Sequence, residues 1–371
     1  MSILLSSFYF FYFSIIGVYV IFLPKVLSLS GYSASEIGLI FAAGPLVRFL
    51  IPFAFIKGLK LNTFSFNIAL IILVGSATSF YFSLDNFYKL IFSNIGLGIG
   101  LSLILPYIEL ISLNHIGKER YGKIRLFGSI GFILVSLVLV KYLSPASIAL
   151  TYMLYLTFIT AILAFFIASH FKEALNKNED IKNDINILKD WQLWLGITLM
   201  QVSFGSFYNF FTIYETDHGV SLDMTIYLWS FGVVVEIFML YFQGKLLRGN
   251  LLRILQFTTF LGAFRWFLIF YFPQNITMLF FAQSLHAFSF ALFHSSAISY
   301  LFYLYKHKSL AQQFFSGITY GAGGFVGAIS AGYIYELYPT HLFLYASSIA
   351  LMATVSLFFW DKRTSNNQLS D

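Results

Sequence analysis

The chain has 371 residues, of which 58% are hydrophobic, 20% aromatic and only 10% charged, with a mean hydropathy of +0.79. No water-soluble domain of that size could hide so much apolar surface in one core, so the composition defines a polytopic membrane protein. The net charge of +6 does not indicate nucleic acid, because the basic residues sit in short gaps between apolar runs rather than on one face. The absence of cysteine excludes disulfides, thiolate chemistry and cysteine-ligated metals.

Apolar runs of about 17–25 residues, the length a bilayer core requires, fall near 3–23, 35–56, 63–82, 87–110, 126–141 and 146–169. Six more follow near 191–214, 222–242, 254–272, 274–301, 314–337 and 340–360. The first run has no basic leader and no small-residue cleavage site, so it is expected to be a retained span. The longest polar segment, FKEALNKNEDIKNDINILKD at 171–190, reads as a linker. The expected organisation is a six-helix bundle over 1–169, a cytoplasmic linker over 170–190, and a second bundle with a short tail over 191–371. The fold class is therefore all-α membrane protein with twelve transmembrane helices.

Counting basic residues in alternate connections tests the orientation. Seventeen of the 22 fall in the set that is cytoplasmic if both termini are inside; only Lys25, Lys89 and Lys141 fall in the other set, and Arg48 and Arg265 lie within spans. Both termini are thus expected in the cytoplasm, with the chain in a bacterial cytoplasmic (inner) membrane.

The halves also repeat. A shift of 188 residues places Gly31 on Gly219, Ser33 on Ser221, Gly44 on Gly232 and Arg48 on Glu236. GSIGF at 128–132 and GAGGF at 321–325 open the fifth span of each half, and SFYFF at 7–11 answers SFYNF at 206–210. Together these favour parallel repeats with a substrate site near the midplane between them.

Ionisable residues inside apolar runs point to that site. A charge at membrane depth costs roughly 2.5–3.5 kcal/mol on insertion scales, so such residues face a partner or a pathway. Glu236 lies in LWSFGVVVEIFMLYF, Arg265 in FLGAFRWFLIFYF, and His286 and His294 in FAQSLHAFSFALFHSSAISYLF. On a regular helix Gln283, His286, Phe290 and His294 fall within about an 80° arc, which reads as a pathway lining. An imidazole can take and release a proton near neutral pH. The alternative is two histidines that merely bond neighbouring helices. A buried carboxylate such as Glu236 can be protonated and neutral or ionised and paired, the two-state behaviour a proton-coupled carrier needs; the alternative is a static pair with Arg48 or Arg265. The two arginines, always charged, can pair with Glu236 or hold an anionic substrate. Glu109 and Arg125 could line the inner end of a cavity or be interfacial charges. Tyr208 and Asn209 offer a binding contact, whereas Glu215, Asp217 and Asp223 read as a solvated outer rim. The glycines of GSIGF and GAGGF read as close-approach positions.

The layout resembles the major facilitator superfamily, and within it the phenylpropionate-permease-like branch, related to lactose permease and nucleoside–proton symporters. The resemblance rests on YGKIRLFGSIGF at 121–132, WSFGVVVE at 229–236, Arg265-Trp266, the spacing from Gln283 through His286 and Phe290 to His294, GITYGAGGFVGAISAGYIYE at 317–336 and LPYIE at 105–109. Similarity to lactose permease implies that Glu236, Arg265 and His286 match its buried acid, arginine and histidine, and that Arg125 matches its sugar-binding arginine. Three departures stand out. The second-to-third connection, FIKGLKLN, lacks the family's Asp; Ser289 stands where lactose permease has an acid; and the seventh span reads Ser203-Phe204-Gly205 in place of the branch's Ser-His-Ala.

The resemblance implies a secondary active transporter, a symporter coupling protons to a small organic solute by alternating access, with an aromatic carboxylate such as 3-phenylpropionate favoured. Sugar or nucleoside symport and export of drugs or metabolites are the alternatives within the fold. A polytopic membrane enzyme or receptor is the alternative of another class and is not expected: the sequence holds no HExxH, nucleophile elbow, phosphate loop or sensor domain. No cofactor, metal or nucleic-acid partner is expected; the partners are the substrate, protons and the lipid bilayer, and the chain is expected to act as a monomer.

Overall fold

The computed structural model describes residues 2–60, 62–142, 147–170 and 185–368. Contacts divide the chain into two compact units, Met1–Asn178 and Glu179–Asp371. The linker positions 171–184, with Lys172, Lys177 and Lys182, lie outside the described residues.

The described residues form helices and turns with no strand, the arrangement lipid demands because a helix satisfies its own backbone groups. In the first unit the spans are Ser2–Leu29, Ala34–Phe55, Thr63–Tyr81, Phe87–Ile116, Tyr121–Val140 and Ile148–His170. In the second they are Trp191–Asp217, Leu222–Phe242, Leu251–Tyr271, Ile276–Leu304, 308–337 and Leu342–Gln368. Ten of the twelve are apolar and long enough by composition to cross a membrane, the exceptions being the seventh and eleventh. The seventh carries Gln192, Gln201, Ser203, Ser206 and Asn209, and the eleventh is cut into short helical pieces.

Caps place the breaks. The Ser33 hydroxyl accepts from the Glu36 N–H while the Glu36 carboxylate accepts from the Ser33 N–H, and Asn62 and Ser65 form the same reciprocal pair. Ser221, Asn250 and Asn275 cap the eighth, ninth and tenth spans. One expected break is missing: helical bonding continues from Phe87 to Tyr142 through the connection between the fourth and fifth spans. Residues 111–125 hold no proline and are rich in Lys, Glu and Arg, which helices accept.

The repeat is visible at atomic level. Gly31 and Gly219 both take positive φ, +93° and +89°, and end the first and seventh spans in the left-handed turn that glycine alone enters freely. The Tyr32 N–H reaches the Leu27 carbonyl at 3.2 Å, and 188 residues later the Val220 N–H reaches the Glu215 carbonyl at 3.0 Å. Ser33 and Ser221 then cap the next helix in each unit.

The glycine motifs bring helices together within each unit. A methyl at Gly131 would lie 2.1 Å from the Phe10 carbonyl oxygen, so the first and fifth spans touch backbone to backbone there. In the second unit a methyl at Gly323 of GAGGF would lie 3.0 Å from the Thr198 carbonyl oxygen, and beyond the motif Gly205 lies against Gly327, so the seventh span meets the eleventh in the same way.

Candidate functional site

The interior of the second unit is built around a completely buried guanidinium. Arg265 leaves the ninth span between two aromatic faces, 4.4 Å from the centre of Phe207 and 4.3 Å from that of Trp266. Such contacts with a desolvated cation contribute about 2 kcal/mol. Trp266 is fixed in turn: its indole N–H donates to the Ser203 hydroxyl at 3.1 Å. Phe204, Tyr208 and Phe290 continue the aromatic wall, with Tyr208 ring centres 5.4 Å from Phe204 and 6.5 Å from Phe290.

Polar contacts from the tenth span complete the site. Arg265 Nη2 donates to Gln283 Oε1 at 2.8 Å, and Nη1 donates to His286 Nδ1 at 2.9 Å and to Ser289 Oγ at 3.5 Å. Gly232 makes room for Gln283, since a methyl there would lie 3.3 Å from the Gln283 amide oxygen. The other imidazole nitrogen, His286 Nε2, lies 3.5 Å from Glu236 Oε2 on the eighth span. The His286 side chain is 7% exposed, while the Glu236 side chain keeps 20% of its surface accessible.

The bonding fixes the proton on the ring. Arginine only donates, so His286 Nδ1 must accept, and a neutral ring then carries its hydrogen on Nε2, facing Glu236. His286 therefore bridges a permanent cation and a carboxylate. The direct Glu236–Arg265 pair is replaced by this relay: among the described residues no carboxylate lies within ion-pair distance of Arg265. Two buried donors of the cluster have no partner among the described residues, Arg265 Nε and Gln283 Nε2.

His294 lies farther along the tenth span, within electrostatic reach of Glu236. The tenth span is a π-helix over Ala287–Leu292, and bonding to the fifth residue back accommodates one residue extra. The extra residue sets His294 back by about 100° around the helix, which keeps it within the arc expected for Gln283, His286, Phe290 and His294. His286 and Phe290 stay stacked, centroids 5.1 Å apart and 5° from parallel, whereas His294 is exposed and meets the Tyr320 hydroxyl at 2.6 Å through Nδ1. Asn209 spends its amide N–H on the Gly205 carbonyl of its own helix at 2.8 Å. Glu215, expected on a solvated rim, is completely buried.

The first unit holds its own polar cluster. Arg125 Nε lies 3.8 Å from Glu109 Oε1, the Tyr121 hydroxyl donates to the same oxygen at 2.8 Å, and the guanidinium sits 3.8 Å above the Phe13 ring. Both charged side chains are about one-third exposed. Arg48 on the second span is exposed, with no carboxylate of its unit paired to it among the described residues. The sequence gives no sign of the Phe13 and Tyr121 contacts beyond Tyr121 lying in YGKIR, nor of Ser203, whose tie to Trp266 depends on the seventh and ninth spans being neighbours.

Helical spans in two units with a charged relay inside an aromatic interior are the architecture of a membrane transport protein. The chain belongs to the MFS_1 like family, whose model matches residues 2–345. It is 25% identical over 369 residues to the "Probable 3-phenylpropionic acid transporter" of Escherichia coli (strain K12), covering 93% of this chain and 94% of that protein. It is 26% identical over 356 residues to "Uncharacterized transporter YwbF" of Bacillus subtilis (strain 168), covering 90% of this chain and 86% of that protein. The crystal structure of nucleoside transporter NupG superposes with a TM-score of 0.80 at 16% identity, covering 97% of this chain and 99% of that one.

Proposed function

We propose that the chain is a proton-coupled symporter of a small aromatic carboxylate of the 3-phenylpropionate kind, acting by alternating access as a monomer in a bacterial cytoplasmic membrane, with both termini inside. The observation that carries this reading is the relay in which His286 separates a fully buried, carboxylate-free Arg265 from Glu236.

Charge conservation links substrate to proton. With Arg265 cationic, His286 neutral and Glu236 ionised, the cluster is neutral overall. A carboxylate arriving at Arg265 adds one negative charge to a buried region, where an uncompensated charge costs several kcal/mol. A proton arriving on Glu236 or His286 removes that excess. Each ligand therefore favours the other, and by linkage the coupling is reciprocal. Protonation of His286 at Nδ1 would also end its acceptance from Arg265 and free guanidinium donors for the substrate. Phe204, Phe207, Tyr208, Trp266 and Phe290 supply apolar faces suited to a phenyl group. Glu109, Arg125, Arg48, Asn209 and Gln283 are the further groups available to substrate, with His294 a second proton acceptor. The E. coli relative's printed name supports the same substrate class.

The test is uptake of labelled 3-phenylpropionate into proteoliposomes under an inward proton gradient. Gradient-driven accumulation is expected, lost in Glu236→Gln while exchange between equal pools persists. Accumulation that ignores the gradient, or that survives unchanged in Glu236→Gln, would overturn proton coupling. Uptake of uridine or a disaccharide instead would replace the substrate class, and movement only under a reversed gradient would make the protein an exporter.

A further inference from the structure

The second unit contains another buried acid outside the Arg265 cluster. Glu215, near the end of the seventh span, has 0% of its surface exposed, and neither carboxylate oxygen has a hydrogen-bond partner among the described residues. Among the described residues its titratable surroundings offer no Lys or Arg. Tyr214 precedes it on the same helix, and Tyr335 comes from the eleventh span with its hydroxyl committed to Asp217 at 2.7 Å. His218 stacks on Tyr214 with centroids 4.1 Å apart, and His341 follows Thr340, whose carbonyl accepts the Tyr214 hydroxyl at 3.4 Å. Asp223, at the start of the eighth span, is exposed. An ionised carboxylate in such a place costs several kcal/mol, so the packed group is the neutral acid.

The repeat shows that folding does not require an acid here. The matching residue 188 positions earlier is Leu27, also 0% exposed and in the same backbone bond at the same glycine turn. An aliphatic side chain fills this niche in one unit and a carboxyl fills it in the other. A cleft of about 460 Å³ is lined by His218, Gly219, Val220 and Ser221 of this turn with Met224 and Gln274, among others, and the turn is tied to Glu215 by the Val220 N–H bond to its carbonyl.

We propose that Glu215 is a proton-binding site that latches this end of the seventh span: it holds a proton while the 218–221 turn is packed and gives it up when the turn opens. On opening, the acid O–H bond breaks, its electron pair stays on the carboxylate and the proton passes to water in the cleft. The packed state holds one proton more, so low pH favours closure and rising pH favours opening. The latch needs no transported substrate and is separate from the cycle proposed above.

Because the chain lacks cysteine, the test is a single-cysteine measurement on purified protein in lipid nanodiscs. Val220→Cys, buried under the turn, is labelled with an uncharged maleimide at a series of pH values, and its rate is divided by that of the exposed Gln274→Cys to remove thiol ionisation. The ratio is expected to rise about tenfold per pH unit over the range in which one proton is exchanged, and to be flat when Glu215→Gln is added. A flat ratio without that change, or an unchanged slope with it, overturns the proposal. Glu215→Leu, copying the other unit, should melt no lower than the parent; a lower melting temperature would show that the carboxyl serves the fold and would equally overturn it.

Discussion

Arg265 has its two terminal nitrogens bonded to neutral acceptors and its flat faces against Phe207 and Trp266, so its charge is solvated by the protein without being neutralised by it. Gln283 is the acceptor best placed to change that, because its amide oxygen lies 2.8 Å from Nη2. Gln283→Glu would supply a carboxylate at the same place. A buried pair of good geometry is expected to raise the melting temperature and to weaken binding of an anionic substrate by more than tenfold, about 1.4 kcal/mol, since the resident anion competes for the guanidinium. Thermal unfolding and substrate titration of the same preparation check both halves of the prediction, and tighter substrate binding in the variant would refute it. Arg265, His286 and Glu236 were legible in the sequence because charge inside an apolar run has few innocent explanations. The burial of Glu215 is not legible in this way, because its place at the end of a run suggests solvent. Only the packing of Tyr214 and Tyr335 around that helix end reveals the burial.

At the level of helices, hydrophobic runs and caps expose the spans but conceal how regular each one is. The π segments Ala287–Leu292 and Phe315–Ala322 leave no mark in the pattern of apolar residues. The same blindness hid the unbroken helix through 111–125, where a charged stretch looks like a loop whether or not its backbone leaves the helix. The glycine motifs, by contrast, could be read correctly, because close approach is the one use of glycine that a helix interior favours. Gly205 gives the sharpest test: a methyl added there would sit 2.3 Å from the Gly327 carbonyl carbon, and neither backbone can yield without moving a whole helix. Gly205→Ala is expected to cost at least about 3 kcal/mol, the upper end for overpacking. Gly75→Ala, whose methyl meets nothing within 4 Å, is expected to gain about 0.5–1 kcal/mol from the restricted unfolded chain. Melting temperatures in one detergent compare the two, and equal effects would mean that the seventh and eleventh spans do not touch at this point.

For the whole molecule, the strongest regularities are the 188-residue repeat and the uneven spread of basic residues. The repeat survives into hydrogen bonds at the two glycine turns, which puts Leu27 and Glu215 at the same end of their units. The spread of basic residues then predicts which end faces the cytoplasm, since Lys and Arg flanking short connections are retained inside. Single cysteines in this cysteine-free chain give a direct reading. In intact cells, a membrane-impermeant maleimide should label Asn86→Cys and Gln274→Cys, in the third-to-fourth and ninth-to-tenth connections. It should leave Lys245→Cys and Lys57→Cys unlabelled until the cells are opened. The reverse pattern would invert the protein while preserving the span count. Labelling at one member of each pair would do more damage, because it would break the even count on which parallel rather than inverted repeats depend.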